Sequence, residues 1–198
     1  MMKKTLIILA VIVAVGAWFV ISTLNGLIPM DEKIKAEWSQ VLNQYQRRSD
    51  LIPNLVATVR GYAAHEQDTL VQVIDARAKA TGTTVSPDML SDAKAINAFM
   101  QNQNALSSAL SRLMVVVERY PELKANENFL SLQSQLEGTE NRIAVARRDY
   151  ILSVQAFNTG IRTIPTRWIV AAFSDMTPKA TFDIDDAQKA VPVVDFAK

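Results

Sequence analysis

No cysteine occurs among the 198 residues, and His65 is the single histidine. The first absence excludes disulfides, thiolate metal sites, a cysteine nucleophile and a lipid-bearing cysteine. The second leaves no histidine pair for a metal or a proton relay. Six glycines and seven prolines are few for this length, and none form a glycine-rich phosphate loop. A dominant charge is also missing, with 21 Lys+Arg against 20 Asp+Glu, two of the lysines lying ahead of the first apolar segment. That balance gives no electrostatic footprint for nucleic acid.

Long apolar patterning is what the chain does have. Thr5 to Leu24 is an uncharged run of 20 residues, which at ~1.5 Å per residue spans the ~30 Å hydrocarbon core of a bilayer. Three readings compete: a permanent anchor, a cleaved signal peptide ending at the small residues Val15-Gly16-Ala17, and a buried core helix. Trp18-Phe19-Val20-Ile21 prolongs the run past that cleavage point and favours the anchor. Lys3 and Lys4 precede the span, while Asp31, Glu32, Lys33 and Lys35 beyond it mix signs. The positive-inside rule then predicts a cytoplasmic N-terminus and a bundle outside the cytoplasm.

Asn25-Gly26 and Pro29 predict a break after the span, with a new helix from about Asp31. Its stripe is Ile34, Trp38, Val41, Tyr45, Ile52, Leu55, Val59 and Tyr62, with Arg48 in one slot; the next turn signal is Thr81-Gly82-Thr83-Thr84, so the helix is expected to reach residue 80. Pro53 deprives the Ser49 carbonyl of its intrahelical donor and predicts a kink. A second helix is expected from Ser86-Pro87-Asp88 to residue 119, with the stripe Ile96, Phe99, Gln103, Leu106, Leu110, Leu113, Val117 and Tyr120. A third, capped by Asn126, is expected to run to Ile164, with Phe129, Leu132, Leu136, Ile143, Ala146, Tyr150, Phe157, Ile161 and Ile164 on one face and small Thr139 and Ser153 in register.

Three such helices with short connections predict an all-α protein: an N-terminal transmembrane helix and an antiparallel bundle of three long helices. The expected divisions are a cytoplasmic N-terminus (1–4), an anchor (5–28), the bundle (31–165) and a C-terminal tail (166–198). In that tail Trp168 to Phe173 reads as a short helix, and Thr181-Phe182-Asp183-Ile184 and Val191-Pro192-Val193-Val194 read as extended chain. The second helix ends too soon to cover the start of the first. Ile34, Trp38, Val41 and Tyr45 are therefore expected to form a stem interface between copies, unless the tail folds back on them or the helix boundary differs.

Charged residues concentrate in two blocks: Arg47, Arg48, Asp50 and Asn54 on the first helix, and Glu140, Arg142, Arg147, Arg148 and Asp149 on the third. Arg48 lies in the apolar stripe, where a lone charge costs several kcal/mol unless paired (about 3–5 on losing its partner). A register-fixing polar network is the favoured expectation, with a partner surface as the alternative. His65-Glu66 lacks a second histidine one turn on, since Thr69 stands there, so the zinc-peptidase pattern fails.

Two blocks of sequence are similar to the LemA family. One runs from Trp38-Ser39-Gln40-Val41 through Tyr45-Gln46-Arg47-Arg48-Ser49-Asp50-Leu51-Ile52-Pro53-Asn54-Leu55-Val56 to Gly61-Tyr62-Ala63-Ala64-His65-Glu66. The other runs from Tyr120-Pro121-Glu122-Leu123 through Leu136-Glu137-Gly138-Thr139-Glu140-Asn141-Arg142-Ile143 to Ala146-Arg147-Arg148-Asp149-Tyr150 and Phe157-Asn158. The resemblance departs at Ile164-Pro165, where the family usually carries Phe-Pro, and at Phe173-Ser174-Asp175-Met176. It implies a bacterial membrane protein with an N-terminal anchor and a bundle of long helices, and no established reaction.

The expected function is a non-enzymatic scaffold or interaction protein of the cell envelope, single-pass in the bacterial inner membrane, with the lipid bilayer, further copies of itself and other membrane proteins as partners. No cofactor and no nucleic acid are expected. An adaptor or regulatory subunit of a membrane quality-control protease is the competing expectation.

Overall fold

A stripe of apolar side chains every three or four residues makes one face of a helix poorly soluble and forces it against another. The computed structural model describes residues 2–182, and these form six α-helices with no strand among them. The helices are α1 (Met2–Tyr62), α2 (Gln67–Gly82), α3 (Ala93–Val117), α4 (Pro121–Lys124), α5 (Glu127–Arg162) and α6 (Thr166–Phe173); a 3-10 turn, Pro87–Ser91, precedes α3. The sequence-based expectation of an all-α chain with three long helices holds, in α1, α3 and α5.

The first helix differs from expectation at both ends. It does not restart after Asn25-Gly26 and Pro29 but continues as 61 residues, roughly 90 Å at ~1.5 Å per residue. One missing intrahelical bond at Pro29 is outweighed by burial of Leu27 and Ile34 against α5. Gly160 lies at that approach: a Cβ there would stand 3.4 Å from the Leu27 side chain and 3.7 Å from Met30, at van der Waals contact. Nor does the helix run to residue 80. It stops at Tyr62, and the chain folds back as α2, burying Leu70, Val73 and Ala80.

α2 and α5 run antiparallel to α1, and α3 runs parallel to it, giving an up-down-up-down arrangement for α1, α2, α3 and α5. The caps are partly as expected. Asn126 Oδ1 accepts from Phe129 N at 3.0 Å and starts α5. Ser86 opens only the 3-10 turn, and Asp92 caps α3 by accepting from Lys94 N at 2.8 Å.

The core has two parts. The half nearer the apolar N-terminus gathers Leu27 to Tyr45 of α1, Ile96 to Met100 of α3 and Ile143 to Ile161 of α5. The distal half gathers Ile52 to Ala63 with α2, Leu106 to Val117 of α3 and Phe129 to Leu136 of α5.

The expected stem interface is corrected by this packing. Ile34, Trp38, Val41 and Tyr45 are all buried within the one chain, because residues 83–92 and the returning tail cover the face that α2 does not reach. Trp38 Nε1 donates to the Val85 carbonyl at 2.9 Å, and Phe182 lies against the Trp38 ring at 6.0 Å. The tail is fastened along the way: Tyr150 Oη donates to the Ala180 carbonyl at 2.8 Å, Asn158 exchanges two bonds with the Lys179 backbone, and Lys179 Nζ is 3.1 Å from Asp31. Ile34, Trp38, Val41 and Tyr45 therefore leave no uncovered stem face among the described residues. The expected extended chain at Asp183-Ile184 and Val191 to Val194 lies outside the described residues.

Candidate functional site

Between the two core halves lies a layer of polar side chains. Heptad-like spacing carries Arg48 to the inner face of α1, where it is 1% exposed. Its Nη1 donates to Glu140 Oε1 at 2.8 Å and Ser107 Oγ at 2.9 Å; its Nη2 donates to Gln103 Oε1 at 2.7 Å and the Gln103 carbonyl at 3.3 Å. The guanidinium carbon stands 5.0 Å from the Tyr45 ring centroid, a cation–π distance.

Gln103 passes the layer on to α2. Its Nε2 donates to the Ala80 carbonyl at 3.2 Å, one of the terminal acceptors that a helix end leaves open. Arg48, Gln103, Ser107 and Glu140 thus tie all four helices of the bundle at one level. Burial pushes the Tyr45 hydroxyl above its usual pKa, with Arg147 and Arg48 pulling the other way. Burial raises Tyr150 as well, so both phenols stay protonated and able to donate.

The layer is not fully satisfied. Arg48 Nε and Ser49 Oγ are buried without a hydrogen-bond partner among the described residues. A partly satisfied polar layer holds helices less tightly than apolar packing would, while it penalises every register in which Arg48 loses Glu140. Chemically the arrangement can fix alignment: the Ser107 hydroxyl donates to the Gln103 carbonyl at 3.2 Å, and the Glu140 carboxylate is paired with Arg48.

Of the nine residues expected in a network, the structure joins Arg48 and Glu140 across helices. Arg47, Asp50 and Asn54 are exposed on α1; Asp50 accepts from Gln46 Nε2 at 2.7 Å, and the Asn54 carbonyl accepts from Thr58 at 2.9 Å. Among the described residues, Arg148 pairs with its neighbour Asp149, at 3.3 Å on the surface. Arg147 lies over Phe182 at 4.8 Å and so holds the tail. Arg142 and Asp149 line a shallow groove of about 370 Å³ on the outer side of α1 and α5, with Glu37, Gln40, Gln44 and Asn141. His65 is in the turn after α1, and its neighbour Glu66 is engaged by Tyr120 at 3.0 Å and Arg119 at 3.1 Å.

The sequence pattern assigns neither Ser107 nor Phe182 to these contacts, nor Arg77 of α2 to the bond it donates to the Ser49 carbonyl. Ser107 and Arg77 carried no periodic signal, and Phe182 lies in a stretch without helical periodicity. Gln103 was detectable as a polar residue in an apolar stripe.

Residues 2–19 of α1 are exposed throughout, whereas from Leu27 onward buried positions recur along one face of the helix; the exposed stretch lies in a helix long and apolar enough to cross a membrane. Fold and site together define a membrane-associated helical bundle with a buried polar layer between its two core halves. The LemA family model matches residues 37–196, so the chain belongs to the LemA family.

Three relatives illustrate its range. Magnetosome protein MamQ 2 of Paramagnetospirillum magneticum is 26% identical over 186 residues, covering 86% of this chain and 68% of the relative. Magnetosome protein MamQ of Magnetospirillum gryphiswaldense is 27% identical over 160 residues, 73% of this chain and 57% of its own length. Protein LemA of Metamycoplasma hominis is 23% identical over 189 residues, 94% and 82%.

Proposed function

We propose that this chain is a non-enzymatic scaffold of the bacterial cell envelope, held by α1 in the inner membrane with its N-terminus in the cytoplasm and its bundle on the other side. One observation carries the reading. The apolar run Thr5–Leu24, exposed as far as Phe19, continues without a break into the bundle's own first helix, so the bundle is joined to the bilayer by a stiff helix rather than by a loose linker.

A stiff mount suits a protein that presents a fixed surface. The groove lined by Glu37, Gln40, Gln44, Asn141, Arg142 and Asp149 is mixed in charge and lies on α1 and α5, the helices that the rod orients. It is the surface we assign to other membrane proteins, consistent with relatives that are named as magnetosome proteins.

The test is fusion of alkaline phosphatase or a fluorescent protein to the C-terminus, combined with carbonate washing of membranes. Phosphatase activity with carbonate-resistant protein is expected. Fluorescence with no phosphatase activity would reverse the topology, and release by carbonate would end the anchoring. Crosslinking in intact membranes from Arg142→Cys should capture a membrane protein, and capture of nothing would remove the scaffold reading.

A further inference from the structure

The chain bends back where it comes closest to the apolar span. α5 descends with Gly160 against Leu27 and Met30, the chain turns into α6, and beyond Ser174 it climbs away until Lys179 meets Asp31 and Phe182 meets Trp38. α6 packs on both α1 and α5. Its Val170 enters the core that holds Leu27, with Leu24 at that core's edge. Along α1, Leu24 to Leu27 is about 4.5 Å, and the headgroup layer on each side of a bilayer is roughly 5–7 Å deep. With Thr5–Leu24 in the hydrocarbon, α6 falls within that layer.

The composition of α6 does not suit water. Ile169 and Val170 are buried, yet the opposite face, Trp168 with Ala171 and Ala172 three and four places on, is apolar too and exposed. Trp168 is 63% exposed and Phe173 65%. Apart from Thr166 and Arg167 in its first turn, α6 is apolar on its exposed face as well as its buried one, a pattern that calls for an apolar covering on both faces, and tryptophan is the residue that favours the membrane–water interface. Arg162, at the end of α5, and Arg167, in the first turn of α6, are both exposed and carry guanidinium groups suited to phosphate.

We propose that α6 is a lipid-docking helix, seated in the headgroup layer beside the span, with Trp168 and Phe173 below the phosphates and Arg162 and Arg167 on anionic headgroups. Eight residues bind a bilayer weakly by themselves, but the span makes the contact intramolecular and so raises the effective lipid concentration at α6. The bundle is then fixed at two points, which sets its tilt and rotation. The proposal rests on the anchoring proposed above.

The absence of cysteine allows single nitroxide labels on the full chain in phosphatidylcholine–phosphatidylglycerol vesicles. Ala172→Cys reports α6, Ala14→Cys the span and Ser134→Cys the distal bundle. The ratio of oxygen to water-soluble nickel-chelate collisions at 172 is expected to be several-fold above that at 134 and below that at 14, and to fall toward the value at 134 when Trp168→Glu is added, with the far-UV circular dichroism and thermal midpoint unchanged. A ratio at 172 equal to that at 134 overturns the proposal by placing α6 in water. Low collision rates with both reagents overturn it too, since a second copy or residues 183–198 would then cover α6. An aqueous ratio at 14 overturns the anchoring itself, and lipid docking with it.

Discussion

Arg77 Nε donates to the Ser49 carbonyl at 2.9 Å, the acceptor that Pro53 leaves without its intrahelical donor. A side chain of α2 thereby repairs α1, and the helix runs through Pro53 unbroken.

This contact predicts a coupling between Arg77 and Pro53. Arg77→Ala orphans a buried carbonyl and should destabilise the protein by about 1–3 kcal/mol. In a Pro53→Ala background the residue 53 amide can take over, so the same change should cost less than half as much. A double-mutant cycle by denaturant unfolding in detergent measures this; equal costs in both backgrounds would refute the repair.

The polar layer predicts an unequal pair. Arg48 is buried whereas the Glu140 side chain is 47% exposed, so solvent can replace much of what the carboxylate supplies. Arg48→Ala should cost about 3 kcal/mol or more, through an emptied site and lost bonds to Gln103 and Ser107. Glu140→Gln, which keeps an acceptor, should cost about 1 kcal/mol or less. Thermal unfolding of the two variants decides, and the reverse order would refute the reading of Arg48 as the centre.

The tail contact predicts a change seen at Trp38. Phe182→Ala should cost about 2–3 kcal/mol and make Trp38 accessible to acrylamide, measured after Trp18→Phe and Trp168→Phe remove the two exposed tryptophans. Quenching that stays unchanged would mean that Phe182 does not shield Trp38.

A pH dependence follows from Asp31. Burial opposes its ionisation, but hydrogen bonds from Lys35 and Lys179 prevail and hold its carboxyl below the usual range. A depressed carboxylate contributes stability above its unfolded pKa of about 4 and loses it as pH falls through the folded value. Asp31→Asn should therefore lower Tm at pH 6, by about 1 kcal/mol of stability. The gap from the native chain should close as the pH falls below about 4. A gap that persists unchanged into strong acid would refute the assignment.

Much of the architecture is written in local pattern. The stripe from Ile34 to Val59, that from Ile96 to Val117 and that from Phe129 to Ile161 are buried almost in full. Tyr62 and Ile164, at the ends of two stripes, are exposed because the helices stop there. The turn at Ala63 to Glu66 had no local signature, since alanine and glutamate favour helix; what ends α1 is burial of Leu70 and Val73 against α3, with Glu66 bound to Tyr120 and Arg119.

The sequence by itself determined which segments are helical, which face of each is buried, and that an apolar N-terminal rod precedes them, because helical periodicity depends on neighbours three and four places apart. Only the tertiary structure decided that Arg48 meets Glu140, 92 residues away, that Arg77 serves Ser49, and that Phe182 rather than a second copy covers Trp38. Such partners depend on how separate helices slide and rotate against one another, a property of the packed whole to which no local spacing corresponds.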